Sequence, residues 1–130
     1  MKNILIACFS LLIVSGCATK TGYDLKSESD PLIWTVNSSI DNVYKQYKNY
    51  AEENYSGGDF LWSGGLRVRG DFYGMKEGAE IDIKMEGNPL APITYLHFEL
   101  SVVEGGTSVQ VWYYNGVWKE NAESFREELF

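Results

Sequence analysis

His97 is the only histidine of the chain, and it stands two residues from Glu99. On a strand, positions i and i+2 share a face, so the two form a candidate acid–base couple. No serine or cysteine sits in a nucleophile motif to complete a hydrolytic set, and a hydrogen-bonded sheet residue is the competing reading. Glu80, Asp82 and Glu86 share one strand face with Lys84. Carboxylates at i and i+2 on a strand lie roughly 7 Å apart, too far for both to ligate one ion unaided. With Arg67, Arg69 and Lys84 nearby they read as a salt-bridged polar face rather than a calcium or other metal site. The pairs Gly57-Gly58 and Gly64-Gly65 lack a phosphate-binding spacing and read as strand-entry turns. Tyr73, Tyr95, Trp112 and Tyr114 fall beside Arg67, Arg69 and Glu99 on one face of the expected sheet. Exposed aromatics mixed with arginine are enriched in protein-binding patches, so Arg67, Arg69, Tyr73, Tyr95, Trp112 and Tyr114 form the candidate interaction face. Ordinary cross-strand pairing on a wet face competes with this, as do a shallow ligand groove and an oligomer formed through that face or an edge strand.

The two cysteines are Cys8 and Cys17. Val14-Ser15-Gly16-Cys17 ends an apolar run that begins at Ile4 and follows Lys2. A positive n-region, a short apolar h-region and small residues at the end are the parts of a secretory signal. The run falls short of the 20 or so apolar residues that span a bilayer. This segment resembles the lipobox of bacterial lipoproteins. The resemblance implies cleavage between Gly16 and Cys17, removal of residues 1–16, and a diacylglycerol thioether on Cys17 with an acyl chain such as palmitate on its amino group. Ala18 after the cysteine favours the outer membrane of a Gram-negative cell, on the periplasmic side. In a Gram-positive cell the same anchor would sit on the outer face of the cytoplasmic membrane. Cys8 leaves with the signal and Cys17 is alkylated, so the mature domain is expected to hold neither a free thiol nor a disulfide.

All 18 acidic residues lie beyond the signal, against ten basic ones once Lys2 is gone, a net charge of about −8. Such a domain repels nucleic acid and gains nothing from anionic headgroups. No cofactor is expected.

The elements that position these residues follow from periodicity. Residues 18–30 are polar and aperiodic, and residues 17–30 are read as a lipidated N-terminus and flexible tether to a single domain over 31–130. Leu32, Trp34 and Val36 alternate with Ile33 and Thr35, a first strand. Ser38 with Asp41 resembles a capping box. Ile40, Val43, Tyr44, Tyr47, Tyr50 and Ala51 then share a helical face, with the tyrosine hydroxyls expected to reach the rim. Four period-two segments follow, around Leu66–Tyr73, Ala79–Glu86, Tyr95–Val102 and Val109–Tyr114, joined by glycine-rich turns. Gly70 falls on the apolar side of the first, marking a bulge or a close approach by another element. Trp118, Ala122, Phe125 and Leu129 define a closing helix.

The predicted product is an α+β domain of two layers. A four- to five-stranded antiparallel sheet, in β-α-β-β-β-β-α order, carries both helices on one face. This order resembles half of the TATA-box-binding-protein-like architecture and is similar to a minimal helix-grip domain of the START type. It also resembles small uncharacterised bacterial lipoproteins with a Val-Tyr pair on the helix (Val43-Tyr44) and a late Gly-Thr-x-Val strand start (Gly106-Thr107-Ser108-Val109). That resemblance implies a fold and no activity. Three functions are expected in descending order. The first is a non-enzymatic, membrane-anchored envelope lipoprotein that binds an envelope protein or a second copy of itself. The second is a helix-grip carrier of an apolar small molecule or lipid. The third is an envelope hydrolase using His97 and Glu99.

Overall fold

The computed structural model describes residues 20–60, 64–86 and 93–130. The signal 1–16, the cleavage pair Gly16 and Cys17, and the turn over 87–92 lie outside the described residues.

The element order is α1 (Gly22–Glu28), β1 (Leu32–Val36), α2 (Ile40–Tyr55), β2 (Gly57–Phe60), β3 (Gly64–Gly74), β4 (Gly78–Glu86), β5 (Ile93–Val103), β6 (Gly106–Tyr113) and α3 (Gly116–Glu128). The strands form one antiparallel sheet in the order β1-β6-β5-β4-β3-β2. The chain is therefore α+β, with one strand more than expected. The addition is β2: Gly57-Gly58-Asp59-Phe60 is not a turn but a short edge strand on β3, with a register shift.

Alternation fixes which face each strand residue takes. Ile81 and Ile83 of β4, Leu96, Phe98 and Leu100 of β5, and Val109 and Val111 of β6 are all buried on the inner face. Two helices cover that face, as the sequence predicts. α2 buries Ile40, Val43, Tyr47 and Ala51, spaced three and four residues apart. α3 buries Ala122 and Phe125, and its N-cap Asn115 accepts the Trp118 N–H at 3.1 Å. Tyr47, Phe98 and Phe125 meet at the centre, with ring centroids 4.7 to 6.0 Å apart. Each such side chain stabilises the fold by about 1.5–3 kcal/mol relative to exposure.

Two local expectations are corrected here. The N-cap of α2 is Ser39, and its side chain makes no capping bond. Ser38 cannot serve, because its Oγ accepts from Asn42 Nδ2 at 2.7 Å and its carbonyl accepts from buried Thr107 Oγ1 at 2.8 Å. The Tyr47 hydroxyl does not reach the rim either. It lies in the core and accepts the Trp34 indole N–H at 2.9 Å. Burial pushes its pKa up to about 12, although that hydrogen bond opposes the rise. Gly70 resolves as a close approach rather than a bulge. It stays in register with Ile81, and a Cβ there would fall 2.5 Å from the Tyr44 hydroxyl.

The largest departure lies before β1. Residues 20–28, read as tether, fold onto the outer face of the sheet. Thr21 and Asp24 form a reciprocal capping box: Asp24 accepts the Thr21 N–H at 2.8 Å, and Thr21 Oγ1 accepts the Asp24 N–H at 3.2 Å. Leu25 is buried beneath the helix they start, and Lys20 bridges to Ile93 in parallel, its carbonyl accepting the Thr94 N–H at 2.7 Å. The domain thus has a third, partial layer.

Candidate functional site

The outer face gathers most of the residues that the sequence marks as capable of chemistry. Register places Asp82 opposite His97, and Glu80 opposite Glu99. On the other flank His97 faces Trp112. His97 Nδ1 donates to Asp82 Oδ1 at 2.5 Å, and Nε2 lies 3.3 Å from Glu99 Oε1. Lys26 reaches down from α1 to the same Glu99 oxygen at 2.6 Å, and its ammonium sits 5.2 Å from the centre of the Trp112 ring. Gly22 lies so close over the imidazole that a Cβ would fall 2.7 Å from Nδ1.

The electrostatics follow from this packing. Burial disfavours the charged imidazole, but hydrogen bonds and Coulombic attraction from Asp82 and then Glu99 outweigh it, so the His97 pKa is raised. Burial likewise disfavours the Glu99 carboxylate, yet Lys26 and His97 hold its pKa below the ordinary value. The arrangement therefore favours the imidazolium form, set between Asp82 and Glu99 with Lys26 as a neighbouring cation. Both ring nitrogens are engaged and the residue is 6% exposed. Proton transfer to a substrate would require α1 to leave.

Glu80, His97 and Glu99 offer one ligand atom each within 4.8 Å of one another, the one such group among the described residues. An ion there would compete with the Lys26 ammonium for Glu99 and with a proton for the imidazole. The expectation of salt-bridged carboxylates holds at the far end of the face, where Glu86 accepts from Arg69 at 2.8 Å and lies 3.4 Å from Lys84.

The six residues of the expected interaction face do not stay together. Trp112 is 5% exposed, covered by α1. Tyr95 is turned away, because β5 carries an extra residue there: Ile83 pairs with Leu96, but Lys84 pairs with Thr94. A bulge re-aims its side chain, and Tyr95 stacks on Trp118 at 4.7 Å and 11° while meeting Tyr114 edge-on. Arg67 is half-buried, its Nη1 donating to the Leu66 carbonyl at 2.9 Å. Arg69 and Tyr73 remain exposed, and Tyr73 donates to Glu80 Oε2 at 3.2 Å. Beside Tyr73 an open groove of about 250 Å³ runs past Glu80, Glu99, Ser101 and Gln110.

Sequence reasoning missed Gly22, Leu25 and Lys26. Their signal was present in Thr21-Gly22-Tyr23-Asp24, a capping-box pattern followed at once by an apolar residue. On the inner face, between helices and sheet, Tyr47, Phe98 and Phe125 are buried and pack against one another. Among the described residues no helix is long and apolar enough to cross a membrane.

No family model matches the chain, and no curated protein or solved structure is significantly similar to it.

Proposed function

We propose that this chain is an envelope lipoprotein, anchored through lipid on Cys17, whose folded domain is a non-enzymatic interaction module. The lipobox-like Val14-Ser15-Gly16-Cys17 supports the anchor and, with Ala18, the outer membrane as its site. The observation that carries the interaction reading is the uncovered half of the outer face. There Tyr73, 56% exposed, stands over the groove lined by Glu80, Glu99, Ser101 and Gln110. Aromatic and polar groups at an open groove suit a protein partner better than a small apolar ligand. The single histidine, locked between carboxylates, argues against the hydrolase reading.

Two measurements test the two halves separately. Labelled palmitate should enter the wild-type chain and stay with membranes, whereas Cys17→Ser should be unlabelled and released. Retention of Cys17→Ser in membranes contradicts the anchor. A photo-reactive residue at Tyr73 should cross-link to one defined envelope protein in intact cells, and the adduct should weaken on Arg69→Ala. Absence of any adduct contradicts the interaction module.

A further inference from the structure

The sheet has two edges, and they are built differently. β2 is four residues long, carries Gly57 and Gly58, and slips register against β3. β1 is Leu32-Ile33-Trp34-Thr35-Val36, without charge, glycine or proline, in unbroken register with β6. The backbone groups of β1 that β6 does not use point away from the sheet. Edge strands of soluble proteins are ordinarily guarded by charge, proline, a bulge or a covering element, because unpaired N–H and C=O groups template another strand. β1 carries none of these guards within its own span. A groove runs along it instead, in two stretches of about 550 and 320 Å³. Its floor is Leu32 and Trp34, and its wall is the end of α3 with Glu123, Arg126, Glu127 and Phe130. Ile33 and Phe130, 61% and 60% exposed, border it.

We infer that a second copy of this chain pairs antiparallel along β1, joining two sheets across a twofold axis at Trp34. Three features favour this occupant. An antiparallel pair centred on Trp34 sets Leu32 opposite Val36 of the second copy, and Ile33 opposite Thr35 of the second copy. Opposed residues in an antiparallel pair lie on the same face, so Leu32, Trp34 and Val36 of both copies stay under the helices. The strand is uncharged, so self-pairing sets no like charges opposite each other. The groove wall bears both signs, Arg126 with Glu123 and Glu127, which a twofold interface can match reciprocally. A strand of a single charge sign would leave one of them unmatched. Isologous pairing also closes, leaving only the two short β2 edges outward. This surface is separate from the Tyr73 groove and does not depend on the anchor.

The test uses the full-length chain in cells. A benzoylphenylalanine at Ile33 should give an adduct of twice the chain mass, and the same group at Val117, 67% exposed at the start of α3, should not. Ile33 and Thr35 are both exposed, so charges there leave the core untouched. A chain with Ile33→Lys and Thr35→Lys, and a second with Ile33→Glu and Thr35→Glu, should each lose self-association at least roughly tenfold. Sedimentation of the purified full-length chains in detergent reads this, with circular dichroism confirming that both fold. Mixing the two should restore the dimer. Cross-linking at Ile33 to a different protein, absence of any adduct, or failure of the oppositely charged pair to reassociate would each overturn the proposal.

Discussion

On the inner face of the sheet, α2 and α3 bury a continuous apolar layer, and the hydroxyl and indole within it, on Tyr47 and Trp34, satisfy each other. On the outer face, seven residues of α1 rest on one buried leucine, a capping box and two ion pairs, Lys26 to Glu99 and Lys20 to Glu28. Apolar burial does not titrate and is not weakened by ionic screening, whereas exposed ion pairs are each worth about 0–1 kcal/mol and are screened. A helix of this length has no stability of its own. The inner layer should therefore carry global stability, and α1 should open on its own at lower free energy.

Breaking the inner layer gives the largest effect. Phe125→Ala removes a ring in contact with Tyr47, Tyr50, Tyr55 and Phe98 and should cost about 3–5 kcal/mol of global stability, read by chemical denaturation. Tyr47→Phe keeps the volume but leaves the Trp34 indole N–H buried without its acceptor, and should cost about 1–3 kcal/mol. Leu25→Ala sharpens the contrast. Although Leu25 is 2% exposed, its loss should free α1 and expose Trp112, seen in the indole N–H resonance, with the global midpoint nearly unmoved.

The smallest effect is the pH response of global stability, and it has two limbs. The His97 pKa is raised on folding, so its contribution is full below the unfolded value and is lost as pH rises through the folded one. The Glu99 pKa is depressed, so its contribution is full above the unfolded value and is lost as pH falls through the folded one. Global stability, read by chemical denaturation, should thus be greatest in mildly acidic solution, between the two unfolded values, and decline on both sides. His97→Gln should remove the upper limb alone.

The two faces also differ in how far they can be read from sequence. Alternation such as Ile81, Ile83 against Asp82, Lys84 marks a half-buried strand, and Val43, Tyr47 and Ala51 mark a helix, because long amphipathic elements repeat their signal. α1 contributes one buried residue, Leu25, and one repeat is not a pattern. The burial of His97 and Trp112 depends on α1, so an outward-facing position there is not an exposed one. Tyr95 left the outer face because of one extra residue in β5, which alternation alone does not reveal. β2 carries two glycines and shows no period at all. Strand order, which makes β1 an edge, depends on long-range pairing that hydrophobic pattern leaves open.

Amide hydrogen exchange at a single pH tests the two-layer energetics most directly. The account predicts that amides of Leu25–Glu28 exchange through a local opening, far faster than those of Val43–Ala51, and that Leu25→Ala accelerates only the former. Exchange of both helices at one common rate, with Leu25→Ala accelerating both, would show a single cooperative unit and contradict it.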